Sequence, residues 1–224
     1  MEDFIEVLQN CALFDGIDPG NLRAMLSCLD GRVTAFERGS VIFPAESRAE
    51  QVGIVLSGEV QVVRDDFYGN RTIQAHALPG ELFGEAFACA EVERLPVAVE
   101  GVRPGRVLLI RLRRIVETCS SACAFHSRMV MNLVRAMAAR NLQLNQKLEI
   151  TSRRTTREKL LSYLMFQARL HGKDSFVIPF DRQGLADYLC VERSALSVEI
   201  GKLRREGVIE SERSRFTLLT RAEG

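Results

Sequence analysis

No stretch of the 224-residue chain approaches the ~18 consecutive apolar residues that a membrane-spanning helix needs. The amino terminus, "MEDFIEVLQNC", carries acidic residues where a secretory signal would be basic. Together these absences point to a cytoplasmic protein with no membrane partner. Histidine is scarce as well: His76, His126 and His171 are the only three, too few to build the clustered nitrogen ligands of a metal enzyme inside a β-barrel. No cysteine cluster of the kind that staples a secreted domain is present either. Cys11, Cys28, Cys89 and Cys190 are scattered, and reduced thiols are expected. Cys119 and Cys123 differ, because i and i+4 positions share a helix face and His126 follows closely. A metal or redox site is conceivable there, but small buried residues at a helix start account for the pattern more simply. No internal repeat or low-complexity tract occurs.

The formal net charge of +1 excludes nothing. Its distribution says more: residues 151–224 hold 14 Lys and Arg against 10 Asp and Glu, so the basic excess lies in the carboxyl-terminal third. That permits nucleic-acid binding without requiring it.

Three patterns follow one another along the chain. A helical opening, "EDFIEVLQNCALF" and "DPGNLRAMLSCL", has Asp18 as a cap, Pro19 at the first helical position, and Leu22, Met25, Leu26 and Leu29 on one face. From about Val33 to Leu112 short alternating strands are punctuated by glycine, as in "RVTAFERGSVIF", "QVGIVLSGEVQVVRDD", "GNRTIQAHALPGELFG" and "LPVAVEGVRPGRVLLIRL". Gly39, Gly58, Gly69 and Gly80 fall at hairpin intervals, with Ser57-Gly58 read as one such turn. Next comes a segment without Gly or Pro, "SSACAFHSRMVMNLVRAMAARNLQLNQKLEITSRR", long enough for one helix of about 30 residues. Such a helix exceeds what the small core before it can cover. Met129, Leu133, Met137, Leu144 and Leu148 approximate a seam, with Val130, Val134 and Ala138 beside it, which points to pairing between two copies of the chain.

The last third opens with "TTREKLLSYLMFQARLHG", a helix capped by Thr155 or Thr156 and closed by Gly172, with Leu160, Leu161, Leu164 and Phe166 apolar. "DSFVIPF" reads as a short strand stopped by Pro179, and "GVIESERSRFTLL" alternates like a hairpin. Between them lies "FDRQGLADYLCVERSALSVEIGKLRREGVI". Asp181 is placed to cap a first helix with Leu185, Ala186 and Leu189 inward. A turn at Cys190, Val191 and Glu192 leads to a second helix with Leu196, Ile200 and Leu203 inward at i, i+4 and i+7. Ala186 supplies the small residue that two steeply crossing helices need. The second helix is left with Arg193, Ser194, Ser197, Val198 and Lys202 outward, side chains that a DNA major groove can accommodate. Arg182, Arg204 and Arg205 are suited to phosphates.

Taken together, "GIVLSGEVQVV", "LPGELFGEAFA" and "FDRQGLADYLCVERSALSVEIGKLRREGVI", in this order and at these separations, resemble the Crp/Fnr family of bacterial transcription regulators over nearly the full chain. The resemblance implies an α+β architecture. Its expected parts are a cyclic-nucleotide-binding-like β-roll over residues 1–116, a long dimerisation helix over 117–150, and a winged helix-turn-helix over 151–224. It further implies a homodimer on a palindromic double-stranded operator, a signal received in the roll, contact with RNA polymerase in an activator, and no catalytic residue. By the same resemblance, Arg182, Arg193, Ser194, Ser197, Val198 and Lys202 belong to the DNA-binding face. Ser194 and Val198 stand where the best-known members carry Glu and Arg, so a different target sequence is expected.

For the effector, the resemblance points to Gly84, Glu85, Arg94, Leu95 and Pro96. Gly84 and Glu85 match the pair that meets phosphate and ribose in cyclic-nucleotide binders. The phosphate-neutralising Arg and its neighbour fall on Leu95 and Pro96, with Arg94 one residue early. Pro96 lacks an N–H, and a one-residue offset in a strand turns a side chain to the other face. The sequence therefore reads against a cyclic nucleotide and for an unidentified, less polar organic effector beside "LPVAV". An amino-terminal iron-sulfur cluster lacks its gathered cysteines. Haem ligation by His76 is less expected than a structural role, and thiol sensing through Cys11, Cys89 or Cys119 and Cys123 stays open.

Overall fold

The computed structural model describes residues 4–65, 67–68, 71–117 and 124–219. The chain divides into two compact units, residues 1–139 and 140–224. Among the described residues no helix is long and apolar enough to cross a membrane.

The first unit opens with α1 (Ile5–Gln9), a single 3-10 turn (Ala12–Phe14) and α2 (Pro19–Cys28). Asp18 caps α2, its carboxylate accepting from the backbone N–H of Gly20 and Asn21 at 3.0 and 3.3 Å. Such a cap contributes about 1 kcal/mol. Six strands follow: β1 (Arg32–Phe36), β2 (Val41–Phe43), β3 (Gln51–Asp65), β4 (Arg71–Ala77), β5 (Leu82–Phe83) and β6 (Ala98–Arg111). All pairings are antiparallel. The sheet runs β1-β6-β3-β4, with β2 also on β6 and β5 also on β3. The long strands β3 and β6 form its spine. One buried cluster, centred on Phe43 and Phe83 with ring centroids 5.3 Å apart, fills the roll and takes in Leu95, Val97 and Val99. A second joins the sheet, through Val52, Ile54 and Leu108, to the helical opening.

Ser57-Gly58 is not a hairpin turn. It lies inside β3, where the register against β6 slips between Val55 and Val60. Gly58 takes φ +80°, and a Cβ there would stand 2.5 Å from the carbonyl oxygens of Arg103 and Pro104. The slip is a bulge that bends a 15-residue strand without ending it. Gly39 and Gly80 do occupy turns, both with positive φ, and Gly69 lies outside the described residues.

Two short helices flank the end of the roll: α3 (Glu85–Cys89) precedes β6, and α4 (Leu112–Val116) follows it. The long helix α5 spans Ala124–Thr151. Its first half is fastened to its own roll: buried Asn132 donates to the carbonyls of Leu13 and Asp15 at 3.1 and 2.9 Å, and Arg128 donates to that of Gly16. Met129 and Leu133 are buried in the same core, and Met137 packs against it. The seam expected from the sequence is thus split. Its first three residues are spent within the unit, whereas Leu144 and Leu148 are exposed, together with Met131, Val134 and Leu142.

The second unit contains the end of α5, then α6 (Thr156–His171), β7 (Ser175–Val177), α7 (Arg182–Leu189), α8 (Arg193–Arg205), β8 (Ile209–Glu212) and β9 (Arg215–Leu218). A full capping box starts α6, with Thr155 and Glu158 bonding each other's backbone N–H, and Gly172 at φ +63° ends it. The strands form an antiparallel sheet in the order β7-β9-β8. The core gathers Ile150, Leu160, Leu164, Leu185, Leu196 and Phe216 around Tyr163, which the sequence does not single out. Tyr163 packs against Tyr188 with ring centroids 5.2 Å apart, and burial pushes its phenol above the usual range. Among the described residues, its hydroxyl is a buried polar atom with no hydrogen-bond partner. An unpaired buried hydroxyl is costly, so Tyr163→Phe is expected to leave stability unchanged or raise it by about 1 kcal/mol. A denaturant midpoint measures this, and a clear fall would show that the hydroxyl has an acceptor.

Candidate nucleic-acid interface

Each half of the carboxyl-terminal hairpin is fixed by local chemistry. Asp181 caps α7 by accepting from Gly184 N–H at 2.7 Å. The helix ends at Cys190, whose φ of +52° is unusual for a residue with a Cβ. The chain then turns through Val191 and Glu192 into α8, and Val191 N–H reaches back to the Ala186 carbonyl at 3.0 Å. Ala186 is fully buried. Leu196, Ile200 and Leu203 turn inward as their spacing requires.

That packing leaves Arg193, Ser194, Ser197, Val198 and Lys202 exposed on α8. Ser197 donates to the Arg193 carbonyl at 2.9 Å, and Lys202 lies 3.5 Å from Glu199. Val198 is 58% exposed, an isopropyl group among polar neighbours. Arg182 is half-buried, its guanidinium 5.7 Å from the centroid of the Phe216 ring. Its pKa is lowered first by burial and then by the charges of Arg193 and Arg204, so the three cations share one field. Two exposed arginines of the β8–β9 hairpin, Arg213 and Arg215, extend the basic character of the unit. In the sequence alone they look like ordinary solvated hairpin residues.

Of the residues expected to meet an effector, Gly84 and Leu95 share one cavity, whereas Glu85, Arg94 and Pro96 do not line it. Gly84 takes φ +78° before α3, where a Cβ would approach the Phe43 ring to 2.8 Å. Glu85 is buried, and its charge adds to the burial that raises the thiols of Cys89 and Cys11, the latter to about 11. Arg94 is exposed and pairs with Glu46 at 3.6 Å. Leu95 is buried in the roll, whereas Pro96 is exposed. A cavity of about 280 Å³ is lined by Gly84 and Leu95 with Phe43, Arg48 and Arg111; Glu85, Arg94 and Pro96 are not among its lining residues. Neither arginine in its wall stands out in the sequence, because each sits 36 or more residues from Gly84 or on a strand of alternating character.

Of the other sensor candidates, His76 Nδ1 lies 2.9 Å from Glu59 on the half-exposed surface of the roll. Cys11 is buried, and Cys28, Cys89 and Cys190 are exposed. His126 is buried. Cys119 and Cys123 lie outside the described residues. Among the described residues no group of three His, Cys, Asp or Glu is placed to hold a metal ion.

A winged helix-turn-helix that follows a β-roll in the chain defines the class of DNA-binding transcription regulators. Residues 33–122 match the cyclic nucleotide-binding domain model, and residues 158–223 match the Crp-like helix-turn-helix domain model. The chain belongs to the Crp/Fnr family. The nitrogen fixation regulation protein FixK of Azorhizobium caulinodans is 27% identical over 224 residues, spanning 96% of this chain and 84% of that protein. The transcriptional activator protein FnrL of Cereibacter sphaeroides is 25% identical over 198 residues, spanning 83% and 75%. In fold, the chain is similar to the c-di-GMP responsive global regulator CLP of Xanthomonas campestris, with a TM-score of 0.57 at 16% identity over 91% of this chain and 100% of that one.

Proposed function

We propose that the protein binds a palindromic operator as a homodimer in the cytoplasm, gated by a small organic effector held in the roll. The outward face of α8 carries this reading. Arg193 can pair with guanine, Ser194, Ser197 and Val198 meet base edges or phosphates, and Lys202 and Arg182 meet the backbone. In this reading residues 1–116 sense, 117–150 pair two chains, and 151–224 read DNA. The exposed stripe Met131, Val134, Leu142 and Leu148 supports pairing. A second copy would set the two reading helices about 34 Å apart, one DNA turn. The cavity beside Leu95 sets apolar Phe43 against Arg48, Glu50 and Arg111, a mixed lining that suits a small organic effector with both an apolar and a charged part. The arrangement the effector binds better would become the populated one. An activator would also meet RNA polymerase.

Fluorescence anisotropy against a pool of palindromic duplexes tests the reading. Binding should weaken steeply with salt as bound counterions are released. Arg193→Ala should cost about 1–3 kcal/mol at its base pair, and Ser197→Ala should lower affinity less. Absence of salt-dependent binding, with and without cell extract, would overturn the regulator. Sedimentation showing only monomer at micromolar protein would overturn the pairing.

A further inference from the structure

We infer that Arg157 and Lys159, in the first turn of α6, are positioning residues that fix the angle at which α8 is presented to DNA. The inference rests on the reading of α8 as the recognition helix. Arg157 places Nη2 2.6 Å from Glu206 Oε2 and Nη1 3.4 Å from Glu199 Oε1. The two carboxylates are seven residues apart, so they stack on one flank of α8 two turns from each other. One guanidinium therefore ties the last two turns of the helix to α6. The Glu199 side chain is only 13% exposed, which holds its carboxylate at the helix–helix boundary, away from the outward reading face.

Lys159 works on the other end of the hairpin. Its Nζ donates to the carbonyls of Leu189 and Cys190 at 3.2 and 3.3 Å. These are end-of-helix acceptors that α7 cannot satisfy by itself, and a cation is favoured at that pole. Cys190 is also the left-handed residue on which the chain reverses. Two residues apart, Arg157 and Lys159 project about 160° from each other around α6. They straddle the hairpin, one holding the turn and the other the distal half of α8. Because α6 follows directly on α5, any change in α5 that moves the start of α6 would move both attachment points of the reader together.

The test uses the full-length chain and a duplex selected by the unaltered protein from a random palindromic pool, with an unrelated duplex for comparison. Arg157→Ala should weaken binding to the selected duplex about tenfold, within the range for residues that act through a second element, and leave the unrelated duplex unaffected. The swap Arg157→Glu with Glu206→Arg, made together with Glu199→Gln so that no two carboxylates face each other, should restore most of the affinity. Arg157→Ala with Glu199→Gln and Glu206→Gln should not, since it removes the charges without restoring the tie. Lys159→Met should lower affinity for the selected duplex in the same selective way. Hydrogen exchange, read without DNA, should quicken at Leu203–Glu206 in Arg157→Ala and at Leu189–Val191 in Lys159→Met. Recovery by the neutral triple variant would mean that Arg157 acts only by masking charge and would overturn the inference. So would equal losses on both duplexes, or unchanged exchange. If the unaltered protein selects no duplex, the DNA reading fails, and hydrogen exchange still judges the tie.

Discussion

Ala186→Leu is expected to abolish operator binding while leaving the roll folded. Ala186 has no exposed surface and sits where α7 faces α8, its carbonyl accepting from Val191 N–H across the turn. Three added carbons have no space there, and overpacking a closed core typically costs about 1–3 kcal/mol. That is a large part of the ~5–15 kcal/mol that holds a small domain together. The molecule can lower the cost only by pushing α8 outward or by opening the turn. Either response moves Arg193 and Ser197, whose proposed base and phosphate contacts would depend on placement to a fraction of an ångström. Affinity should therefore fall further than the stability loss would suggest. Anisotropy and thermal unfolding of the same variant separate the two effects, and wild-type affinity in a folded Ala186→Leu protein would contradict the close approach.

Gly105→Ala should be the most damaging single methyl in the roll. A Cβ at Gly105 would lie 1.9 Å from the Ser57 carbonyl oxygen and 2.8 Å from the Gly58 Cα. Both are backbone atoms of the bulge, so no rotamer change relieves the contact, and the spine of the sheet must separate. The cost should reach the upper end of the overpacking range, about 3 kcal/mol or more. Gly39→Ala is the control: it meets nothing within 4 Å and pays only for its φ of +80°, about 1 kcal/mol. If circular dichroism melts gave the two variants equal losses, the tight crossing of β3 and β6 would be wrong.

The helix-turn-helix was legible because Leu185, Leu189, Leu196, Ile200 and Leu203 repeat at helical spacing and Asp181 marks a start. The roll was legible from alternation and glycine. Ser57-Gly58 reads as a turn because a glycine that bends a strand and one that ends it are alike in one dimension; only the pairing partner Arg103–Arg106 distinguishes them. Met129, Leu133 and Met137 read in the sequence as part of a seam between two chains because an apolar stripe records that a face is covered, not what covers it. The tie between Arg157 and Glu206 joins residues 49 positions apart, and nothing local announces it. The scattered placement of Glu85, Arg94 and Pro96 had the same origin: nearness in sequence is no guide to which side of a strand or short helix each residue takes.

The exposed middle of α5 has a thermodynamic consequence. Met129 and Leu133 anchor one end of this helix in the first core and Ile150 anchors the other in the second, but every residue from 138 to 145 is exposed. A short helical stretch without packing lies near the helix–coil midpoint in water. It transmits cooperativity poorly, so each core can melt without drawing the other with it. Covering the stripe would stiffen the stretch and merge two transitions into one. The number of unfolding steps is then itself a measure of whether the long helix has found its cover.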